Sequence, residues 1–379
     1  MSKTTIKKAI ESAEHPILLE TVTQLKQAES IWKKSAVLGI DTEFVRERTY
    51  RADLGLVQVS DGQTAWLFDP LALSTTEPLA RMMENPGIIK LLHSGSEDLE
   101  VLLNALGVIP EPLVDTQMAC AMLGQPLQLG YHHAVKWLFD VEIDKDQTRS
   151  NWCKRPLTAK QLRYAAMDVV LLPEMLVKLR GMLDAAGRWT WLQEDVARVQ
   201  RNARQAIDPD TVYQRFPGIG RMDQDTLQVL KYLARWREET AIERNRARGF
   251  VIADAPILQM AREKPVSKEQ LQAIEGIHPI ALSRYAETLL KLIELAGQDR
   301  TPVETLDRLD DKQRSQLNQM RAIVAKRAAD LGVEPALLAS RRELERLIRA
   351  HASDQPVPER FLGWRKQEVT DELVKILDQ

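Results

Sequence analysis

The hydrophobic positions change period along this chain. Three β-prone runs come early and close together, "AVLGIDTEF", "LGLVQVSD" and "TAWLFDP", separated by "RTYRAD" and the turn "SDGQT". Connections this short suit antiparallel neighbours. A helix-like segment from Glu77, the strand-like "GIIKLLHSG" and a helix beginning near "SEDLEVLLNALG" come next. "PLVDTQMACAML", the amphipathic stretch around "HHAVKWLF" and a long helical pattern from Thr158 then follow. Strands in a meander, then alternating with helices, predict an α/β layer fold with a mixed sheet. From about residue 185 the strand pattern disappears and helical periodicity takes over, as in "DTLQVLKYLARWREETAIERNRARG". The polar joint "GQDRTPVETLDRLDD" separates that block from a last helical one. The chain is therefore expected to hold an α/β domain over residues 1–205 and two small all-α domains over 213–297 and 304–379.

Composition narrows the class. A length of 379 residues fits two or three domains at roughly 150 residues each. A hydrophobic share of 44% supports ordinary cores, and a charged share of 28% argues against wholesale disorder. With no run of about 18 apolar residues, no membrane span is expected. The opening "MSKTTIKKAIESAEHPILLE" has neither the apolar core nor the cleavage site of a signal peptide. Two cysteines, Cys120 and Cys153, cannot build a disulfide framework, so a reducing cytoplasm is the expected compartment. No cysteine and histidine stand at zinc-site spacing. A net charge of −2 leaves a nucleic-acid partner open, because a local patch decides that question.

Candidate chemistry begins in "SAVLGIDTEFV". Asp41 and Glu43 project from the same side of a strand, while Leu38, Ile40, Thr42 and Phe44 can pack and Gly39 leaves space beside the acids. Burying ionised acids is costly unless something compensates. A divalent cation bound by oxygen ligands would do so, and so would bridging to Arg46 or Arg48. In "LLHSGSEDLEVLL", Ser94 and Glu97 have capping-box spacing, and Asp98 reads as an acid favoured in a first helical turn. Further on, Thr158 can cap a helix whose buried stripe is Leu162, Ala165, Ala166, Val169 and Leu172. Tyr164 and Asp168 share one face of it and, taken alone, are an ordinary partly exposed pair.

Taken together, a strand DxE, an acid opening a helix after a later strand, and YxxxD on a downstream helix resemble the three motifs of the DEDD superfamily. These are 3′→5′ exonucleases on a ribonuclease-H-like fold. One branch carries histidine five positions before the last Asp; here that position is Arg163, and Tyr164 stands four before, as in the tyrosine branch. "DTEFVRERTY", "LGLVQVSDG", "HSGSEDLEVL" and "YAAMDVVLL" resemble the bacterial ribonuclease D family over about residues 20–180. The stretch beginning "LKYLARWREETAIERNRARGF" resembles an HRDC domain, and "LLASRRELERLI" with "LGWRKQEVTDEL" resembles a second, divergent copy.

The resemblance implies a metal-dependent 3′→5′ exoribonuclease that trims precursor tRNAs and other small structured RNAs, releasing 5′-mononucleotides. It implies two divalent ions, Mg²⁺ or Mn²⁺. Asp41 would bridge them, Glu43 and Asp168 would complete the nucleophile-side ion, and Asp98 would serve the other through water. Tyr164 would orient the attacking water, since a phenol with a pKa near 10 is a poor base at neutral pH. Thr42 and Phe44 would lie against the terminal nucleotide, although strand alternation puts them on the packing side. Arg235, Arg244, Arg246 and Arg248, with Arg237, could meet phosphates. Interleaved Glu238, Glu239 and Glu243 could equally make that stretch a salt-bridged face. The expected partner is RNA with a single-stranded 3′ tail; no membrane and no obligatory protein partner is expected, and the chain is expected to be a monomer. The rival readings are a DNA exonuclease of the same superfamily and a catalytically silent RNA-binding protein. The presence of all four acids and the tyrosine argues against the second.

Overall fold

The four expected strands join two short ones in a six-stranded sheet, in a computed structural model that describes residues 3–143, 150–304 and 309–379. In chain order the first elements are α1 (Lys3–Ser12), β1 (Ile17–Leu19), α2 (Val22–Trp32), β2 (Val37–Val45), β3 (Asp53–Ser60) and β4 (Ala65–Phe68). Next come α3 (Glu77–Glu84), β5 (Ile89–Leu92), α4 (Ser96–Leu106), β6 (Leu113–Asp115), α5 (Thr116–Met122) and α6 (Tyr131–Phe139). The long pattern from Thr158 divides into α7 (Ala159–Val170) and α8 (Leu172–Ala185), followed by α9 (Trp189–Arg204). Strand order is β1-β4-β3-β2-β5-β6. β3 and β4 are antiparallel, whereas β1 with β4, β2 with β5, and β5 with β6 are parallel, so the sheet is mixed as expected. The N-terminal α1, β1 and α2 were not marked by the hydrophobic pattern. β1 spans three residues, too few for a period-2 alternation to show.

By contacts the chain separates into two compact units. One comprises residues up to 45, 54–204 and 309–379; the other comprises 46–53 and 205–308. In the second unit, α10 (Gln224–Glu243), α11 (Arg248–Val251), α12 (Asp254–Glu263), α13 (Lys268–Ala273) and α14 (Pro279–Gln298) close around Leu227, Leu230, Leu233, Ile257, Met260, Leu271 and Leu289. Residues 46–53, which link β2 to β3, are held inside this helical unit. The Tyr50 hydroxyl donates to Glu238 at 2.5 Å, and the Arg248 guanidinium lies over the Tyr50 ring while pairing with Glu238. The Ala247 amide donates to the Arg48 carbonyl, and the Arg51 amide to Asn245 Oδ1.

The last helices depart from the expected independent domain over 304–379. α15 (Asp311–Leu331), α16 (Pro335–Leu338), α17 (Arg341–Ala352) and α18 (Asp371–Leu377) share one apolar core with the α/β layer. Leu317, Met320, Leu337, Phe361 and Trp364 belong to the same cluster as Leu179, Leu192 and Val196. The physical reason is a polar junction sealed inside that core. Asp195 on α9 accepts two hydrogen bonds from Arg365, at 2.6 and 2.7 Å, and both residues are buried. Arg365 also donates to the Leu337 carbonyl, Arg360 joins Asp195 to Glu343, and Trp191 stacks on Trp364 at 4.3 Å. Arg188 donates to the carbonyls of both Met122 and Leu331. Burial alone would raise the Asp195 carboxyl, but the hydrogen bonds and charge of Arg365, with Arg360, hold it below the usual range.

Removing one member of such a buried pair strands the other charge, at a cost of about 3–5 kcal/mol. Asp195→Ala should therefore destabilise the α/β unit by that amount, read by denaturant unfolding of the full chain. Deleting residues 309–379 should leave the α/β unit unable to fold stably, because Leu192, Val196 and Trp191 lose their cover. A truncated chain that unfolds cooperatively at the midpoint of the full chain would contradict the shared core.

Candidate active site

Strand alternation sets the first two acids. Leu38 and Ile40 are fully buried on one side of β2, and Asp41 and Glu43 project from the other. Gly39 decides how close the next element comes. A Cβ there would lie 2.7 Å from the Val169 carbonyl oxygen and 2.9 Å from Leu172 Cβ, so only glycine lets the α7–α8 junction press onto β2. α7 itself starts with the expected cap: the Thr158 side chain accepts from the Gln161 amide, and the Gln161 side chain returns the bond. The Tyr131 hydroxyl donates to the Met167 carbonyl at 3.0 Å, pinning the turn that carries Asp168. As a result, carboxylate oxygens of Asp41, Glu43 and Asp168 lie within 4.8 Å of one another.

Asp98 is placed by a different device from the one its sequence suggests. α4 begins at Ser96 with Gly95 as an N-cap lacking a side-chain bond, and Ser94 takes a left-handed conformation with φ 67°. The expected Ser94–Glu97 capping box is thus replaced by Asp115. Its carboxylate accepts the amides of Ser94, Gly95, Gln117 and Met118, tying the β5–α4 turn to the end of β6. Asp98 stands outside the three-acid cluster, with its Oδ1 accepting the Thr42 hydroxyl at 2.5 Å. Thr42 is only 6% exposed, with its hydroxyl turned to Asp98. Phe44 is half-buried near the end of β2.

Tyr164 and Asp168 share a helix face as the spacing requires, and the phenol donates to the Asp168 carboxylate. Arg163 turns away to pair with Glu14 at 2.8 Å. Trp152 is a site residue that the sequence motifs did not mark. Its side chain hydrogen-bonds Glu43, its ring lies 6.1 Å from that of Tyr164, and it is 3% exposed. The loop carrying it is fixed at two points. A Cβ on Gly55 would meet the Trp152 carbonyl oxygen at 2.6 Å, so the loop lies flat on β3. Arg155 binds both oxygens of Asp69 at 2.6 and 2.7 Å and donates to the Gly55 carbonyl. A large aromatic and an arginine in the otherwise polar "NWCKRP" were the available signal.

Electrostatics mark these acids as a strained set. Burial, followed by the charges of Asp98, Asp168 and Glu43, drives the Asp41 carboxyl far above its ordinary range. Glu43 is pushed up to about 8 by burial and by Asp168 and Asp98, with the Trp152 bond opposing. Burial raises Asp168 to about 7 against the Tyr164 bond, and raises Asp98 to about 6 against the Thr42 bond. Burial and the neighbouring acids also push the Tyr164 phenol up, so it stays protonated and acts as a donor. Other carboxylates rather than arginine thus dominate the charge on Asp41 and Glu43. A cluster of three oxygen donors, crowded and mutually repelling, has the chemistry that a hard divalent cation requires.

In the helical unit the candidate arginines part ways. Arg235 pairs with Asp210 and Glu239, Arg237 is buried against Asp254, and Arg248 is committed to Glu238 and Tyr50. Arg244 and Arg246 are exposed, the first lying over the Tyr285 ring and the second over Phe250.

The chain is similar to known proteins along most of its length. Residues 16–184 match the 3′-5′ exonuclease family and residues 226–293 match the HRDC domain. The chain is 37% identical to ribonuclease D of Pseudomonas paraeruginosa over 352 residues, covering 92% of this chain and 93% of that one. To ribonuclease D of Escherichia coli it is 34% identical, covering 90% and 93%. The crystal structure of Escherichia coli RNase D, described as an exoribonuclease involved in structured RNA processing, superposes with a TM-score of 0.90. The identity is 31%, and 96% of this chain and 99% of that one are covered.

The raised carboxyl pKa values carry a sign for stability. The unfolded chain releases these protons near pH 4, whereas the folded site holds them up to about pH 6–8. Folding therefore loses stability as pH rises through that window in metal-free protein. The thermal midpoint in chelator should fall between about pH 5 and about pH 8.5, and Asp41→Asn should flatten the fall. Mg²⁺ or Mn²⁺ should raise the midpoint more at the upper pH than at the lower. A metal-free midpoint that rises across the window would contradict the crowded site.

Proposed function

The chain belongs to the ribonuclease D family of 3′→5′ exoribonucleases, and from that premise we propose that it trims the 3′ ends of precursor tRNAs and other small structured RNAs with two divalent ions. The observation that carries the reading is the convergence of Asp41, Glu43 and Asp168 from β2 and α7 into one oxygen cluster, with Asp98 beside it on the Thr42 hydroxyl. Asp41, central among the four, would contribute to both ions, with Glu43 and Asp168 on the nucleophile side and Asp98 on the other through water. When bound, such ions lower the pKa of an attacking water and neutralise charge on the scissile phosphate and the departing 3′-oxygen.

The protein's own groups hold that arrangement. Tyr164, a neutral donor to Asp168, would orient the water and not deprotonate it. Trp152 holds Glu43 and packs beside Tyr164, so it is a positioning residue shared by acid and phenol. Gly39 keeps Asp168 at its distance from Asp41. In-line attack at the last phosphodiester then releases a 5′-mononucleotide and a chain one residue shorter.

The helical unit over 205–308 contains the HRDC match and would hold the body of the RNA. Residues 304–379 are read as a second, divergent HRDC copy, of which residues 309–379 pack into the α/β core. A DNA exonuclease remains the rival, and a strand-for-strand comparison separates the two.

Incubation of a tRNA bearing a 3′ extension should yield 5′-mononucleotides with Mg²⁺ or Mn²⁺ and none in chelator. Asp41→Asn should abolish release while RNA affinity changes less than about threefold, and Trp152→Phe should slow release on the order of tenfold with unchanged RNA affinity. Labelled RNA and DNA of one sequence complete the test. Faster degradation of the DNA, or full turnover by Asp41→Asn, would overturn the reading.

A further inference from the structure

One pocket in the helical unit is built unlike the rest of its surface. It encloses about 550 Å³ between the α10–α11 turn, α11 and the first turns of α14, within the roughly 300–1,000 Å³ span of ligand sites. Arg246, Phe250, His278, Ile280, Arg284 and Tyr285 are its chemically distinctive lining, and no lining residue is acidic. In a chain with more acids than bases, an acid-free wall carrying two arginines is a local site for an anion. The pairing pattern sharpens this. Arg235, Arg237 and Arg248 of the same unit are neutralised by carboxylates, but among the described residues no carboxylate pairs with Arg244, Arg246 or Arg284. All three are exposed, and Arg244 sits at the pocket margin over Tyr285.

The second ingredient is an uncovered apolar face. Phe250 is 51% exposed and Ile280 63% exposed, so the pocket offers ring and alkyl surface to solvent beside its cations. A small inorganic anion would use only the arginines, and an apolar ligand only Phe250 and Ile280. A ligand that uses both has a flat aromatic part and a phosphate a few ångströms away, which describes an unpaired nucleotide. We propose that this pocket receives a splayed nucleotide of single-stranded RNA, its base against Phe250 and Ile280 and its phosphate between Arg246 and Arg284. The site rests on the reading that the helical unit binds RNA, and it names where and in what form. It is a docking site remote in sequence from the four acids, so it acts on affinity for long substrates rather than on hydrolysis.

The test uses the full-length chain, a hairpin RNA with a single-stranded 3′ tail, and a short RNA oligonucleotide. Arg246→Ala with Arg284→Ala should weaken hairpin binding about tenfold and reduce the slope of log affinity against log salt by about one. Phe250→Ala should weaken it roughly fivefold or more with the salt slope unchanged. Both variants should cleave the short oligonucleotide at the wild-type rate, and a 4-thiouridine in the hairpin loop or tail should cross-link to the peptide holding Phe250 in wild type. Hairpin affinity unchanged in both variants overturns the pocket while leaving RNA binding by the unit intact. If the wild-type chain binds the hairpin no better than the oligonucleotide, the pocket and the RNA-binding reading of the unit fall together.

Discussion

The burial of Asp41, Glu43, Asp98 and Asp168 in one small space, with the repulsion it imposes on Asp41 and Glu43, is the constraint around which the α/β unit is organised. Like charges in a space this small disfavour the folded state unless they are protonated or met by cations. The fold resists by drawing the acids from three separate elements, so that no single movement relieves the crowding. β2 presents two of them through its alternation, Gly39 admits α7 with the third, and the Asp115-tied turn delivers the fourth. Hydrogen bonds then take a share of the charge. Trp152 serves Glu43, Tyr164 serves Asp168 and Thr42 serves Asp98, and each opposes the upward shift of its acid. Asp41 receives no comparable side-chain donor among its principal influences, and burial with its acidic neighbours raises it well above the ordinary carboxylate range. A site with this imbalance gains most from a cation placed beside Asp41.

That constraint explains why supporting residues are as specific as the acids. Trp152 reaches Glu43 only because Gly55 lets its loop touch β3, and Arg155 can hold the loop only because Asp69 follows β4. Each support is a long-range contact between segments whose sequences look unremarkable alone.

How much of this could be read in advance follows from the range of each interaction. The DxE pair on β2 and the Tyr164–Asp168 pair on α7 were legible because strand and helix periods place side chains without reference to the rest of the chain. The Thr158 cap was legible for the same reason. Asp115 was not, since its four amide partners come from two separate turns and nothing local distinguishes it from any acid ending a strand. Nor was the hydrogen bond from Thr42 to Asp98, a pairing across 56 residues. Helical periodicity also marked the last block, which holds α15 and α17, without saying what it covers. Their apolar faces close the α9 side of the α/β core, and the Asp195–Arg365 pair that fixes this docking spans 170 residues.

The arginines divide along similar lines. Arg155 is committed to Asp69, Arg365 to Asp195, Arg248 to Glu238 and Arg235 to Asp210, so their charge is neutralised within the protein. A chain with balanced charge that also binds a polyanion must leave some cations unneutralised, and their location then decides where the polyanion sits. The acids at the α/β site cannot attract RNA by themselves, because their own field repels phosphate until cations arrive. Attraction must come from elsewhere on the chain, and Arg244, Arg246 and Arg284 beside exposed Phe250 are a place where charge and stacking surface coincide. Catalysis by concentrated negative charge and capture by free positive charge are thus complementary needs, which the proposed pocket would meet on a different unit from the acids.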